Sequence, residues 1–149
     1  MNIVTTNKYA KFNYFLLETY EAGIVLSGSE IKSVRQNGMT LNESFILVGQ
    51  NKITLKNSFI KPYQTPNGFS PKADRDRDLL LHQNEILKIK QAVDKKGLTI
   101  VPVKAYLKGN LLKLEISLAK GKKLFDKKQD KKEKDIARTE ARDLLNKGV

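Results

Sequence analysis

The alternation of apolar and polar positions is sharpest near Leu111–Leu118. There Leu112, Leu114, Ile116 and Leu118 fall on one face, and Lys113, Glu115 and Ser117 on the other. A period of two over that length is the signature of a half-buried strand. Lys108-Gly109-Asn110 makes the turn into it from a second strand, predicted over Leu98 to Leu107, where Pro102 points to a sheet edge or a bulge. Upstream, Tyr14 to Leu26 is rich in aromatic and β-branched residues and is broken only by Gly23. Phe45-Ile46-Leu47-Val48 is a short apolar run, and Gly49-Gln50-Asn51-Lys52 is a good hairpin connection. Beyond it Ile53, Leu55 and Phe59 alternate with Thr54, Lys56 and Ser58.

Two stretches change to a helical period. Ser27-Gly28-Ser29-Glu30 is a capping box, Ile31 and Val34 give a short inward face, and Asn37-Gly38 is a stop signal. A second helix is predicted from about Gln83 to Lys95, with Ile86, Ile89 and Val93 on one stripe and Gly97 ending it. His82 then reads as a helix N-terminal residue, with Glu85 completing the cap. Thr65 to Asp78, containing Pro66, Asn67-Gly68 and Pro71, reads as a loop too long to be a mere connector. Five or six antiparallel strands with two short helices predict a mostly β fold, an OB-like antiparallel β-barrel without internal repeats.

Charge divides this picture in two. The 149 residues carry a net +12 with 40% hydrophobic positions, enough for one real core. Residues 1–118 hold 17 Lys/Arg against 10 Asp/Glu, whereas residues 119–149 hold 11 against 6 in a quarter of the length. The expected organisation is a barrel domain over 1–120 and a basic tail over 121–149, disordered alone and helical on a partner surface. Its Ala137, Ala141, Leu144 and Leu145 follow helical spacing. Such a field favours polyanions. No apolar run approaches the roughly 20 residues a spanning helix needs, and the first residues lack a leader pattern, so a cytoplasmic protein is expected.

Enzymatic chemistry has little to stand on. Cysteine is absent, which removes disulfides, thiolate nucleophiles and the usual zinc sites. The one histidine, His82, has no nucleophile partner, and no phosphate-cradling glycine motif is present. Asp74, Asp76 and Asp78 alternate with Arg75 and Arg77, which reads as a salt-bridged, solvated segment and not a calcium loop. No cofactor or metal is implied. Three clusters instead combine cations with apolar neighbours: Asn7 to Tyr14, Arg75 to Leu81, and Ala119 to Lys128. In the first, Tyr and Phe packing on the core is the plainer reading. In the second, the leucines are most simply core, yet a leucine beside arginines suits an unstacked base with phosphates alongside. In the third, Phe125 between lysine pairs wants a cover, and a stacked base supplies one. A general single-strand-binding protein and a structural ribosomal protein share these features.

Five motifs in order make the chain resemble the SsrA-binding protein family, also called small protein B. They are Asn7-Lys8-Tyr9-Ala10, Tyr20-Glu21-Ala22-Gly23-Ile24-Val25-Leu26, Gly28 to Arg35, Arg75-Asp76-Arg77-Asp78-Leu79-Leu80-Leu81-His82, and Ala119 to Lys128. The resemblance implies an OB-like barrel, acting as a monomer, that binds transfer-messenger RNA at its transfer-RNA-like part. With that RNA it would enter stalled ribosomes for trans-translation, reaching the decoding centre and the messenger channel. It places RNA contacts at Asn7, Glu21, Leu80 and Lys113, beside the candidate cations Arg75 and Arg77. It places Lys120, Lys122, Lys123, Phe125 and Lys127 of the tail against ribosomal RNA. Lys128 joins them where the family often has Arg, without the planar fork. Glu30 is left out of the site, because its capping role explains it.

Overall fold

The computed structural model describes residues 2–63 and 71–122. Seven strands and three helices follow in the order β1 (Asn2–Thr6), α1 (Lys8–Asn13), β2 (Tyr14–Ile24), α2 (Gly28–Asn37), β3 (Phe45–Val48), β4 (Ile53–Lys56), β5 (Arg77–Leu80), α3 (Gln83–Lys96), β6 (Thr99–Lys108) and β7 (Leu111–Gly121). All pair antiparallel in one sheet of order β1-β6-β7-β2-β5-β4-β3. The sheet curls until β3 lies close to β6. This is the mostly β, OB-like architecture that the apolar pattern predicts, with a seam where no ladder joins β3 to β6 among the described residues.

The core follows the alternations. Leu112, Leu114, Ile116 and Leu118 of β7 are buried with Tyr20, Ala22 and Ile24 of β2 and with Ile53 and Leu55 of β4. Ile86, Ile89 and Ala92 bring the inner stripe of α3 onto the same cluster, and Val34 brings α2. Both predicted caps form. Ser27 N–H donates to Glu30 Oε1 at 2.9 Å while its own Oγ accepts from Glu30 N–H at 3.2 Å. His82 N–H donates to Glu85 Oε1 at 3.1 Å. Gly109, at φ +62, takes the first place of the two-residue β6–β7 turn, a conformation that favours glycine.

Two features differ from the sequence reading. The N-terminal segment is a strand and a short helix, and it is Ala10 that packs, against Val101 and Ala119, while Tyr9 and Phe12 are exposed. β5, a strand the sequence reading did not predict, starts on Arg77 and Asp78 at the end of the stretch read as loop, because Arg77 finds a ladder partner on β4 and Leu79 finds partners on β4 and β2. Pro102 marks a bulge, one of the two places its sequence context offered, with the register shifting between Pro102 and Lys104 and the β1 pairing running only over Lys104–Leu107. Asn7 accommodates this: its Nδ2 donates to the Pro102 carbonyl at 2.9 Å, and its backbone N–H to Val103 O at 2.7 Å. The expected domain limit at residue 120 falls inside β7. Of the tail, Lys123, Phe125, Lys127, Lys128 and the Ala137–Leu145 stripe lie outside the described residues.

Candidate RNA interface

Strand pairing lines up residues across the outer face of the sheet. Reading across β1, β6, β7, β2 and β5, Ile3 pairs with Tyr106, Tyr106 with Lys113, Lys113 with Gly23, and Gly23 with Leu80. The next row holds Lys104, Glu115 and Glu21. Glu21, Lys113 and Leu80, distant in sequence, therefore meet on one surface. With Gly23, Leu81, His82 and Glu85 they line a concave patch of about 330 Å³.

Gly23 makes the patch concave. A Cβ there would stand 3.4 Å from Leu80 Cβ, so the missing side chain leaves a floor over which Leu80 leans, itself 62% exposed. An exposed leucine beside a basic residue offers an apolar surface to a base or sugar, and Lys113 offers charge to a phosphate. Glu21 supplies an acceptor. The Tyr106 hydroxyl donates to Glu21 Oε2, and Lys108 Nζ stands 3.7 Å from Oε1. The Tyr106 hydrogen bond holds the Glu21 carboxyl below the ordinary carboxylate range. Loss of solvent opposes it, and Lys108 and Lys113 reinforce it. Burial, and then the Glu21 hydrogen bond and charge, push the Tyr106 phenol well above its usual value, so it stays a donor.

The arginines do something else. Arg77 is fully buried. Its Nε and Nη2 donate to Glu30 Oε2 at 3.0 and 2.7 Å, and Nη1 donates to Ser58 Oγ and Ser58 O at 2.8 and 3.0 Å. Placing Arg77 among the RNA contacts is corrected by this geometry, since a guanidinium with no exposed surface cannot reach a phosphate. Arg75 is partly exposed, yet its Nε and Nη2 are taken by Glu30 and its Nη2 also meets Val25 O at 3.3 Å. Both act first as struts between α2 and the segment leading into β5. Asp74, Asp76 and Asp78 each pair with a lysine, Lys72, Lys56 and Lys52, as the salt-bridged reading expects.

Asn7 also stands apart from the concave patch. Its side chain is 8% exposed and works as the N-cap of α1, accepting from Tyr9 N–H at 3.2 Å. It lines a separate cleft of about 370 Å³ along the β3–β6 seam, with Tyr9, Tyr14, Phe45 and Val101 among its walls. Lys120 is exposed at the end of β7 opposite Phe15, and Lys122 Nζ lies 5.0 Å from the Phe15 ring centroid. Among the described residues no cluster of three or more His, Asp or Glu is placed to hold a metal ion, and no helix is long and apolar enough to cross a membrane.

A sequence model of the SmpB protein family matches residues 4–146. The chain belongs to the SmpB protein family. Among its relatives, the SsrA-binding protein of Caldanaerobacter subterraneus subsp. tengcongensis is 47% identical over 147 residues, which is 99% of this chain and 90% of the relative. That of Persephonella marina is 46% identical over 138 residues, 93% and 91% of the two chains. That of Mycoplasma mycoides subsp. mycoides SC is 46% identical over 140 residues, 93% and 95%. A chain of the solved structure "tmRNA-SmpB: a journey to the center of the bacterial ribosome" superposes with a TM-score of 0.66 at 37% identity, over 84% of this chain and 92% of that one.

Within this SmpB-family chain, the six domain residues singled out from sequence fall into three places. Glu21, Leu80 and Lys113 share the concave patch, Arg75 and Arg77 hold Glu30, and Asn7 closes the β1–β6 ladder. Sequence reasoning passed over Tyr106, Gly23, His82 and Glu85. Gly23 carried a signal, being a glycine inside a strand pattern, which marks a close approach or a bulge. Tyr106 carried none, because the bulge at Val103 shifts the alternation of β6 before it.

Proposed function

We propose that this chain binds transfer-messenger RNA at its transfer-RNA-like part and delivers it to stalled ribosomes for trans-translation, standing in for the missing codon–anticodon part. The observation that carries the reading is the concave patch of Glu21, Leu80 and Lys113 over the Gly23 floor, on the solvent face of an SmpB-family sheet. An acceptor, an apolar shoulder and a cation around one hollow suit a folded RNA with splayed bases and exposed 2′-hydroxyls better than a bare phosphate run. The names carried by the relatives and the structural neighbour support the same partner.

The division of labour follows charge. Domain 1–120 holds the RNA, and the tail from residue 121, with Lys122, Lys123, Phe125, Lys127 and Lys128, joins Lys120 in meeting ribosomal RNA at the decoding centre and along the messenger channel. The protein works as a cytoplasmic monomer and an adaptor, performing no chemistry of its own and needing no cofactor. Competition filter binding with the full chain tests this. Unlabelled transfer-messenger RNA should displace labelled transfer-messenger RNA far better than an unrelated single strand of equal length. Equal displacement would identify a general single-strand binder instead.

A further inference from the structure

Tyr106 is buried on the wrong side of the sheet for a core residue. It is 5% exposed, yet it belongs to neither apolar cluster, and its neighbours Ala105 and Leu107 are the ones that pack inward. Its hydroxyl reaches from β6 past β7 to a carboxylate on β2. That carboxylate needs holding. Glu21 is exposed and stands directly opposite Glu115 in the β2–β7 ladder, a like-charge pair that alone favours splayed side chains. Tyr106 on one oxygen and Lys108 near the other restrict the side chain to one pose. Each oxygen keeps a further lone pair for a ligand.

We propose that Tyr106 is a positioning residue of the RNA interface, holding the Glu21 carboxylate aimed across the Gly23 floor. It makes no RNA contact itself, being buried. The inference rests on the RNA-binding reading above. A preorganised acceptor recognises donors without first losing its own rotamer freedom, so affinity is gained through geometry and not through a new contact.

Tyr106→Phe keeps the ring and removes only the hydroxyl. The full chain carrying Tyr106→Phe, Glu21→Gln, or both is titrated with transfer-messenger RNA by filter binding, and thermal melts are recorded alongside. Glu21→Gln should bind about tenfold more weakly, the loss of one charge-assisted hydrogen bond, Tyr106→Phe several-fold more weakly because the acceptor is no longer held, and the double variant no more weakly than Glu21→Gln alone. In parallel, ¹³C NMR of the Glu21 carboxyl follows its titration. The groups facing it are Tyr106 and Lys108 from β6, Lys113 and Glu115 from β7, and His82 and Glu85 across the hollow. In the unmodified chain the carboxyl should titrate below the ordinary carboxylate range, and in Tyr106→Phe closer to it, with the melting temperature lowered slightly by the loss of that hydrogen bond and the chain still folded at the binding temperature. Weak binding by Glu21→Gln with full binding by Tyr106→Phe, or additive losses in the double variant, would overturn the positioning role while leaving the RNA interface standing. Full binding by Glu21→Gln would overturn both. Should Tyr106→Phe not fold, the titration of Glu21 in the unmodified chain still decides: an ordinary value there removes the hydrogen bond on which the inference depends.

Discussion

Two glutamates in this fold gather cationic and hydroxyl donors, and the difference between them separates structure from recognition. Glu30 is buried, and both its oxygens are consumed by Arg75, Arg77 and the Ser27 backbone. Glu21 is exposed and receives one hydroxyl with one lysine at longer range, so it retains acceptor capacity toward solvent. Both carboxyls are held below their ordinary value. At Glu30, burial pushes the carboxyl up, and the hydrogen bonds from Arg75, Ser27 and Arg77 outweigh it. At Glu21 the leading cause is the Tyr106 hydrogen bond itself. A saturated carboxylate fastens α2 to β5, whereas an unsaturated one, fixed in direction, is a ligand group in waiting.

The largest effect that would break this contrast lies at Glu30. Arg77→Met leaves a buried carboxylate short of one of its two arginines and should destabilise the fold by about 3–5 kcal/mol in urea unfolding. A loss below about 1 kcal/mol would mean that Arg75 and Ser27 suffice to satisfy Glu30 and that the cluster is redundant. The sign of the pH dependence follows from the depressed carboxyl. The stability Glu30 contributes is present above the unfolded carboxylate value and disappears as pH falls through its lower folded value. In Arg77→Met the folded value moves up toward the unfolded one, so the acid-dependent loss should be smaller and should be complete at higher pH, read from melting temperatures across the acid range.

What could be read beforehand was local, and what was missed depended on partners far along the chain. The β7 alternation and both capping boxes are written within a few residues of one another, so they were legible. Arg77 looked like a surface cation because its partner Glu30 lies 47 residues away and Ser58 19 away, on elements whose meeting no local pattern announces. β1 was invisible for the same reason, since Asn2–Thr6 has strand geometry only by pairing with β6. Family resemblance named Glu21, Leu80 and Lys113, which the sheet does bring together. It also named Asn7, whose side chain is spent on the Pro102 carbonyl.

Lys113 sharpens the comparison on the recognition side. If it faces a phosphate, Lys113→Ala should weaken transfer-messenger RNA binding several-fold and flatten the slope of log K against log salt by about 0.7–0.9, with little change in melting temperature. An unchanged slope with weaker binding would make Lys113 a base or sugar contact. An unchanged affinity would move the RNA off this hollow.

The smallest expected change in stability is at Gly23, and it isolates shape from charge. Its backbone is not among the positive-φ positions, so an alanine fits the strand without strain. The added Cβ would meet Leu80 Cβ at 3.4 Å, an ordinary contact distance. Gly23→Ala should therefore leave the melting temperature unchanged or slightly raised, within about 1 kcal/mol, because alanine loses less backbone entropy on folding than glycine. The same methyl group raises the floor of the hollow between Leu80 and Lys113. If RNA packs into that hollow, affinity must fall although every charged and hydrogen-bonding group is retained. Filter binding at two salt concentrations reads this cleanly: the two salt slopes should match and the intercepts differ. Equal intercepts would mean that RNA touches only the rim, leaving Glu21, Leu80 and Lys113 as separate contacts with no shared seat between them.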